Sequence, residues 1–254
     1  MSHRPRKRFG QNFLHDRHVI GRIAAAIDPQ PTDRIVEIGP GQGALTRELV
    51  GRCDLALIEI DRDLAAALRA EPGFADVPVI QEDVLNVDLE TLGENLRLVG
   101  NLPYNISSPI IFWALAAADR VRDMHFMLQK EVVDRLAAAP GSKTFGRLSV
   151  TVQYRCEVVP ILKVRPGAFF PPPKVDSAVV RLIPRPPSRE AVKPERLEQV
   201  VRQAFAQRRK TLGNALRGVL DRDLIAACDV DPGARAETLS VDDFVRLANA
   251  LPAG

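Results

Sequence analysis

The sequence predicts an α/β fold, a doubly wound parallel sheet followed by a small C-terminal all-α domain. Three observations carry this. Short β-branched runs alternate with helical patterns from residue 35 to about residue 136, as strands joined by crossover helices do. A glycine-rich loop, Gly39-Pro40-Gly41-Gln42-Gly43, separates the first of these strands from its helix. Beyond a proline-rich linker at Pro184, Pro186 and Pro187, the pattern from Glu190 onward is helical, with about three to five short helices and no strand.

Taken in order, residues 18–27 read as a helix ahead of the sheet. Arg34-Ile35-Val36-Glu37-Ile38 is the first β-branched run, and the glycine loop follows at once. Strand, glycine loop and helix in that order require a backbone that approaches something closely. The spacing is G-x-G-x-G, not the G-x-G-x-x-G of dinucleotide sites, and no phosphate-seeking lysine follows it. A nicotinamide-linked oxidoreductase and a P-loop are therefore both disfavoured. The second strand, residues 55–58, ends at Glu59-Ile60-Asp61. An acid at that strand end is placed to accept from both hydroxyls of a ribose. Glu59 is assigned this role, whereas Asp61 can instead cap the helix that begins near Arg62. A third strand, residues 77–80, leads to Asp83, which can accept from an adenine amino group or serve as a loop acid or cap.

The fourth strand, residues 96–99, runs through Gly100 into Asn101-Leu102-Pro103-Tyr104. This tetrapeptide can be a plain strand-to-helix turn, or it can grip a planar amine. The Asn101 side-chain oxygen accepts one hydrogen bond from an exocyclic NH2. The Leu102 carbonyl, directed by Pro103, accepts the second, and Tyr104 lies against the ring as aromatics do on an extruded base. Two acceptors on one amine draw its nitrogen toward a nucleophilic lone pair, which methylation of an adenine amine requires.

These strand ends share one edge of a parallel sheet, where open α/β sheets bind ligands. The ligand looks like a nucleoside without a pyrophosphate. S-adenosylmethionine fits, and its sulfonium suits a pocket carrying Glu37, Glu59 and Asp83. The fold class thus sharpens to a Rossmann-like S-adenosylmethionine-dependent methyltransferase sheet. Further on, residues 148–164 read as two extended segments, in keeping with an antiparallel hairpin that closes the sheet. Phe169-Phe170 ahead of Pro171, Pro172 and Pro173 form a rigid loop. Phe170 can sandwich a target base against Tyr104, or the two rings can be a core pair. Residues 177–183 resume as a strand.

At 254 residues the chain can bury a sizeable core, and its 46% apolar content is that of an ordinary globular protein. The three cysteines, Cys53, Cys156 and Cys228, lack C-x-x-C spacing, which points to idle thiols in a reducing compartment rather than zinc ligands or disulfides. His15 and His18 share a helical face but read as solvated, so no metal is expected. No apolar run reaches the roughly 20 residues of a membrane span, and a cytoplasmic protein is the simplest reading. Net charge is only +3, yet residues 1–22 hold six Lys or Arg against one acid. That basic arm suits phosphate contact, with a solubilising tail as the other reading. In the helical part, Arg202, Arg208, Arg209, Lys210 and Arg217, interleaved with Phe205 and Leu212, read as an arginine-rich helical face for RNA or as a solvated face.

Six ordered motifs resemble one family across nearly the whole chain. They are Arg8-Phe9-Gly10-Gln11-Asn12-Phe13-Leu14, Glu37-Ile38-Gly39-Pro40-Gly41, Asn101 through Ser107, Gly146-Arg147-Leu148-Ser149-Val150, Phe169 through Ser177, and Arg208-Arg209-Lys210-Thr211-Leu212. Leu239-Ser240-Val241-Asp242-Asp243-Phe244 extends the match to the C-terminal helices. The sequence is similar to the ribosomal RNA adenine N6-dimethyltransferases, and within them to the small-subunit (16S) branch, the KsgA or RsmA type. Phe145, where that family usually has Tyr, is a small departure.

The resemblance implies that Gln11, Asn12 and Leu14 close over the donor and that Gly39 and Gly41 lie in its loop. It places Glu59 on the ribose, Asp83 on the adenine and Asn101 at the methyl-transfer end. It implies a substrate of two adjacent adenines in the 3′-terminal hairpin loop of 16S rRNA, each dimethylated, within the 30S subunit or its precursor. Tyr104, Phe170, Arg208, Arg209 and Lys210 are then candidate RNA contacts. The expected organisation is a catalytic domain with its basic arm over residues 1–187 and a helical RNA-binding domain over 188–254, acting as a monomer. The Phe-Phe-Pro-Pro-Pro and Arg-Arg-Lys-Thr-Leu segments favour this branch over the related large-subunit dimethylases of macrolide resistance. A binding factor that checks ribosome assembly remains a reading of a different class.

Overall fold

The computed structural model describes residues 11–207 and 209–251. The strands are β1 (Phe13–Leu14), β2 (Arg34–Ile38), β3 (Asp54–Ile58), β4 (Val79–Ile80), β5 (Leu96–Asn101), β6 (Val121–Gln129), β7 (Cys156–Val164), β8 (Phe169–Phe170) and β9 (Ser177–Pro184). The helices are α1 (Arg17–Ile27), α2 (Thr46–Leu49), α3 (Arg62–Ala70), α4 (Ser107–Ala116), α5 (Lys130–Leu136), α6 (Arg147–Gln153), α7 (Pro194–Ala206), α8 (Leu212–Ala215), α9 (Arg222–Ala227) and α10 (Val241–Asn249).

The main sheet runs β4-β3-β2-β5-β6-β9-β7. Strands β2 to β6 pair in parallel, and β9 joins β6 antiparallel. The chain moves outward from β2 to β3 and β4, then returns to place β5 on the other side of β2. That reversal opens a crevice beyond the strand ends. Residues Ile35, Val36, Leu57, Leu98, Val99 and Phe126 are buried in the sheet, as strands covered on both faces must be.

Helix α1 shows how the sequence sets an element. Asp16 accepts from the N–H groups of His18 and Val19 and caps its start. Ile20, Ile23, Ala24 and Ile27 form its buried face, and Asp28 ends it in the left-handed region at φ 48°. These residues pack with Leu14, Ile35, Val99, Met127, Phe169 and Val179 in one apolar cluster.

The chain divides into two compact units. One takes the described part of Met1–Val133 with Val159–Pro184. The other takes Asp134–Val158 with the described part of Arg185–Gly254. The boundary expected at residue 187 lies three residues beyond this division, and the larger difference is that Asp134–Val158 clusters with the helical unit. The reason is α6, and it corrects a reading of the sequence. Residues 148–152, expected as an extended segment, are helical. Ser149 Oγ accepts from the Gly146 N–H at 3.0 Å and donates to the Arg135 carbonyl at 2.5 Å, which fixes the helix start. The buried Val150 and Tyr154 then pack with Phe145, Leu197, Val200, Leu212 and Phe244. A β-branched run here follows its tertiary setting rather than its propensity.

Candidate active site

A cavity of about 290 Å³ opens at the ends of β2, β3 and β5. Its lining includes Gln11, Asn12, Leu14, Gly39, Gly41, Glu59, Asp83, Asn101, Leu102, Pro103 and Tyr104, gathered from 94 positions of sequence between Gln11 and Tyr104. Phe170 lies outside that lining. It is 64% exposed, and its neighbour Phe169 is buried. Strand β1 pairs with β8 so that Phe13 faces Phe170 and Leu14 faces Phe169. The aromatic loop and the segment beside Asn12 are therefore held as one piece.

The glycine loop is shaped for close approach. Gly41 has φ +59°, and a Cβ there would meet the Phe13 ring at 3.1 Å. The Gly41 N–H donates to Glu59 Oε2 at 3.1 Å, and the Asp61 N–H donates to Glu59 Oε1 at 2.9 Å. Both oxygens of this buried carboxylate are thus fixed in direction. Asp61 makes the cap that was one of its two readings, accepting from the Asp63 N–H, and also accepts from Gln11 Nε2 at 3.2 Å. Asp83 Oδ1 accepts from the Leu85 N–H at 3.0 Å and caps a short turn while the residue lines the cavity. Cap and site wall coincide in one residue.

Asn101 is the last residue of β5, one position beyond Gly100. A Cβ on Gly100 would sit 2.5 Å from the Ile38 carbonyl oxygen, so only glycine lets β5 lie this close to the loop strand. Asn101 Nδ2 donates to the Asn12 carbonyl at 2.9 Å. With the NH2 end of the carboxamide engaged, Oδ1 is the end left to accept. The Leu102 N–H donates to the Met127 carbonyl at 3.1 Å, which fixes the peptide that follows. The Tyr104 hydroxyl shares a 2.6 Å hydrogen bond with Ser177 Oγ. Burial raises the phenol's pKa, and the Ser177 bond works against that rise.

Arg209 and Lys210 are exposed, but they lie in the turn between α7 and α8. The arginine-rich helical face expected of them is therefore corrected to a turn, closed by the Lys210 N–H on the Gln207 carbonyl at 2.8 Å. Arg208 and the basic arm of residues 1–10 lie outside the described residues. Sequence reasoning gave no role to Phe13, His125 or Ser177. Phe13 and His125 line the cavity, and Ser177 holds a residue that does. No local pattern gives them a role, because β6 and β9 bring His125 and Ser177 in from the far half of the sheet and the pairing of β1 with β8 sets Phe13.

Two buried groups set opposed pH responses. Burial pushes the Glu37 carboxyl up to about 7, with the Thr46 hydrogen bond opposing and the Glu59 charge adding to the rise. Burial drives His125 down to about 4, Asp123 opposes, and the charges of Arg97 and Arg181 reinforce it. A folded carboxyl that binds its proton more tightly than the unfolded chain loses stability as pH rises from 4.5 through 7. A folded imidazole that binds its proton less tightly loses stability as pH falls from 6.5 through 4. Each swing is worth roughly 3 kcal/mol, so they largely offset. Glu37→Gln keeps an acceptor for Thr46 and removes one arm. We expect it to exceed the parent's stability at pH 8, with the two converging below pH 4.5. Urea unfolding across this range checks it, and a constant difference between the proteins at all pH values would exclude the assignment.

A Rossmann-like sheet with this crevice and these strand-end groups defines an S-adenosylmethionine-dependent methyltransferase. The family model described as "Ribosomal RNA adenine dimethylase" matches residues 2–252, and the chain belongs to that family. It is 54% identical to ribosomal RNA small subunit methyltransferase A of Aeromonas hydrophila, over 99% of this chain and 95% of that one. It is 55% identical to the protein of that name in Pseudomonas aeruginosa, covering 98% of this chain and 95% of the other. Among solved structures it is similar to a dimethyladenosine transferase from Plasmodium falciparum, with 25% identity, TM-score 0.80, and coverage of 92% and 95%. It is also similar to the 23S rRNA methyltransferase ErmE, with 32% identity, TM-score 0.76, and coverage of 94% and 99%.

Proposed function

We propose that the protein dimethylates N6 of two adjacent adenosines in the 3′-terminal hairpin loop of 16S rRNA during small-subunit biogenesis. The observation that carries the reading is the Asn101 carboxamide, pinned through Nδ2 to the Asn12 carbonyl at the cavity edge. Its Oδ1 and the Leu102 carbonyl accept the two amine hydrogens of an extruded adenine. Tyr104 from the cavity wall and the exposed Phe170 offer faces for stacking the base. Glu59 accepts from the donor's ribose and Asp83 from its adenine, while Gln11, Asn12, Leu14, Gly39 and Gly41 enclose it.

The residues present fit S-adenosylmethionine: the loop glycines leave room for a close ligand, and Glu37, Glu59 and Asp83 set acids around a cation. When bound, it supplies an activated methyl, so that the N6 lone pair forms the N–C bond, the C–S pair returns to sulfur to give S-adenosylhomocysteine, and the N6 proton passes to water. The chain contributes positioning and oriented dipoles, and neither nucleophile nor general base is called for.

The 52–56% identity to proteins named for the small subunit supports that branch over the large-subunit one, to whose ErmE the identity is 32%. The proposed acting species is a monomer. Among the described residues no helix is long and apolar enough to cross a membrane. The exposed Arg209 and Lys210 suit the RNA backbone, and with the helical unit they form the proposed RNA-binding part. The test is incubation with radiolabelled S-adenosylmethionine and small subunits lacking adenine methylation, followed by mapping. Four methyl groups on two adjacent loop adenines are expected. Label in large-subunit RNA instead, or donor binding without transfer, would overturn the reading in favour of the other branch or of an assembly factor.

A further inference from the structure

Ser177 opens β9 opposite Gln129 of β6 and is fully buried. Its hydroxyl is 2.6 Å from that of Tyr104, a residue on the turn after β5. Further support on the same strand start comes from the Lys130 N–H, which donates to the Asp176 carbonyl at 2.9 Å. The tyrosine ring is therefore held at both ends, by its own backbone and by a rigid strand. A stacking face that needs only area would not require a tether at its far end.

The two methyl transfers make unequal demands on that face. Before the first, the amine carries two hydrogens, and both acceptors, Asn101 Oδ1 and the Leu102 carbonyl, are satisfied. After it, one hydrogen remains, so one acceptor loses its partner and a methyl group occupies that space. The second transfer has the same balance as the first. The lone pair restored when the first proton left forms a second N–C bond to the methyl of a fresh S-adenosylmethionine, that donor's C–S pair stays with its sulfur, and the last N6 proton leaves to water. Half of the polar grip is gone, and stacking must hold more of the alignment.

We propose that Ser177 is a positioning residue for the second methyl transfer, fixing through the Tyr104 hydroxyl the ring on which the monomethylated base must stay stacked. This rests on the base-holding role given to Tyr104 above. Ser177 thereby sets the product of the enzyme, dimethyladenine rather than a mixture with monomethyladenine.

The test uses full-length Ser177→Ala, Ser177→Thr and Tyr104→Phe proteins in single-turnover assays on small subunits. Ratios of N6-monomethyl to N6,N6-dimethyladenine are read by nucleoside mass spectrometry. Ser177→Ala is expected to lower the rate of the second transfer relative to the first by about three- to tenfold, the weight of one neutral hydrogen bond, and to accumulate monomethyladenine. Tyr104→Phe, which deletes the other half of the same bond, should shift the ratio in the same direction. The double variant should go no further than either single one, and Ser177→Thr should restore dimethylation.

The chain has two tyrosines, Tyr104 and Tyr154, so a 13Cζ-tyrosine spectrum reports the bond without any turnover. The Tyr104 signal should move in Ser177→Ala and return in Ser177→Thr. Equal slowing of both transfers, or a parental product ratio in Ser177→Ala and Tyr104→Phe, would overturn the inference while leaving the function intact. Failure of the parent protein to make dimethyladenine would instead overturn the function itself.

Discussion

Asn101→Ala is expected to slow methyl transfer by about 30- to 1000-fold, a loss of roughly 2–4 kcal/mol of transition-state stabilisation. The size follows from what the side chain does. An adenine amine is a poor nucleophile because its lone pair is shared with the ring. A positioned acceptor at Asn101 Oδ1 helps to localise that pair, and the Asn12 carbonyl holds the acceptor still through Nδ2. Alanine removes the acceptor and with it the Nδ2 bond to the Asn12 carbonyl. Asn101→Asp separates the two effects. It keeps an oxygen toward the amine but sets its other oxygen against the Asn12 carbonyl, so the acceptor is present and unpinned. Its rate should fall between those of the parent and Asn101→Ala. Single-turnover rates at saturating donor, with donor affinity measured separately by calorimetry, distinguish loss of the amine grip from loss of a donor contact. Full turnover in Asn101→Ala would remove the proposed mechanism.

The strand ends were legible because each announces itself locally. Glu59, Asp83 and Asn101 all follow short apolar runs, and a parallel sheet brings such positions to one edge whatever the helices between them do. Gly41 was legible for a similar reason, since a glycine loop between strand and helix has few other uses. Residues whose placement depends on the far half of the sheet were not legible. Ser177 reads as an ordinary strand start until β9 is laid beside β6. His125 reads as a lone histidine in an apolar run until that strand is buried. The error at residues 148–152 has the same origin. Val150 and Val152 favour a strand locally, but the Ser149 bonds and the cluster around Phe145 and Phe244 make a helix cheaper. In the turn after α7, the charge run Arg209-Lys210 was visible, whereas its shape was not, because the helix ends where the Gln207 backbone leaves helical geometry, at φ −132° and ψ 74°, which no periodicity marks.

Arg97→Met should cost about 3–5 kcal/mol of stability, the range for breaking a buried ion network by removing one partner. Arg97 is buried on β5, on the strand that carries Asn101 at its other end. It forks onto Asp123 through Nε at 2.9 Å and Nη2 at 3.1 Å. Nη1 donates to Asp33 Oδ2 at 2.6 Å, and Nη2 to the Ile27 carbonyl at 2.6 Å. One guanidinium thus joins β5 and β6 to the C-terminal end of α1. Burial alone would raise the Asp123 carboxyl, yet the bonds and charge of Arg97, with the bond from Arg181, bring it below the usual carboxylate range, and the Arg97 bond and charge likewise hold Asp33 low. Both acids are therefore ionised at neutral pH, and methionine would leave them so with less to face. Arg122 on Asp33 and Arg181 on Asp123, at 2.8 Å each, are half-exposed and compensate only partly. Arg97→Lys should recover a minor share, since an ammonium cannot reproduce the fork. Because the group stands at the opposite end of β5 from the cavity, the folded fraction of Arg97→Met should still bind the donor. Urea unfolding at pH 7 with donor titration on the same samples decides this. A loss below about 1 kcal/mol would mean that solvent or the outer arginines already satisfy the two carboxylates. A loss of donor binding in fully folded protein would mean instead that this buried network sets the geometry of the strand end where Asn101 sits.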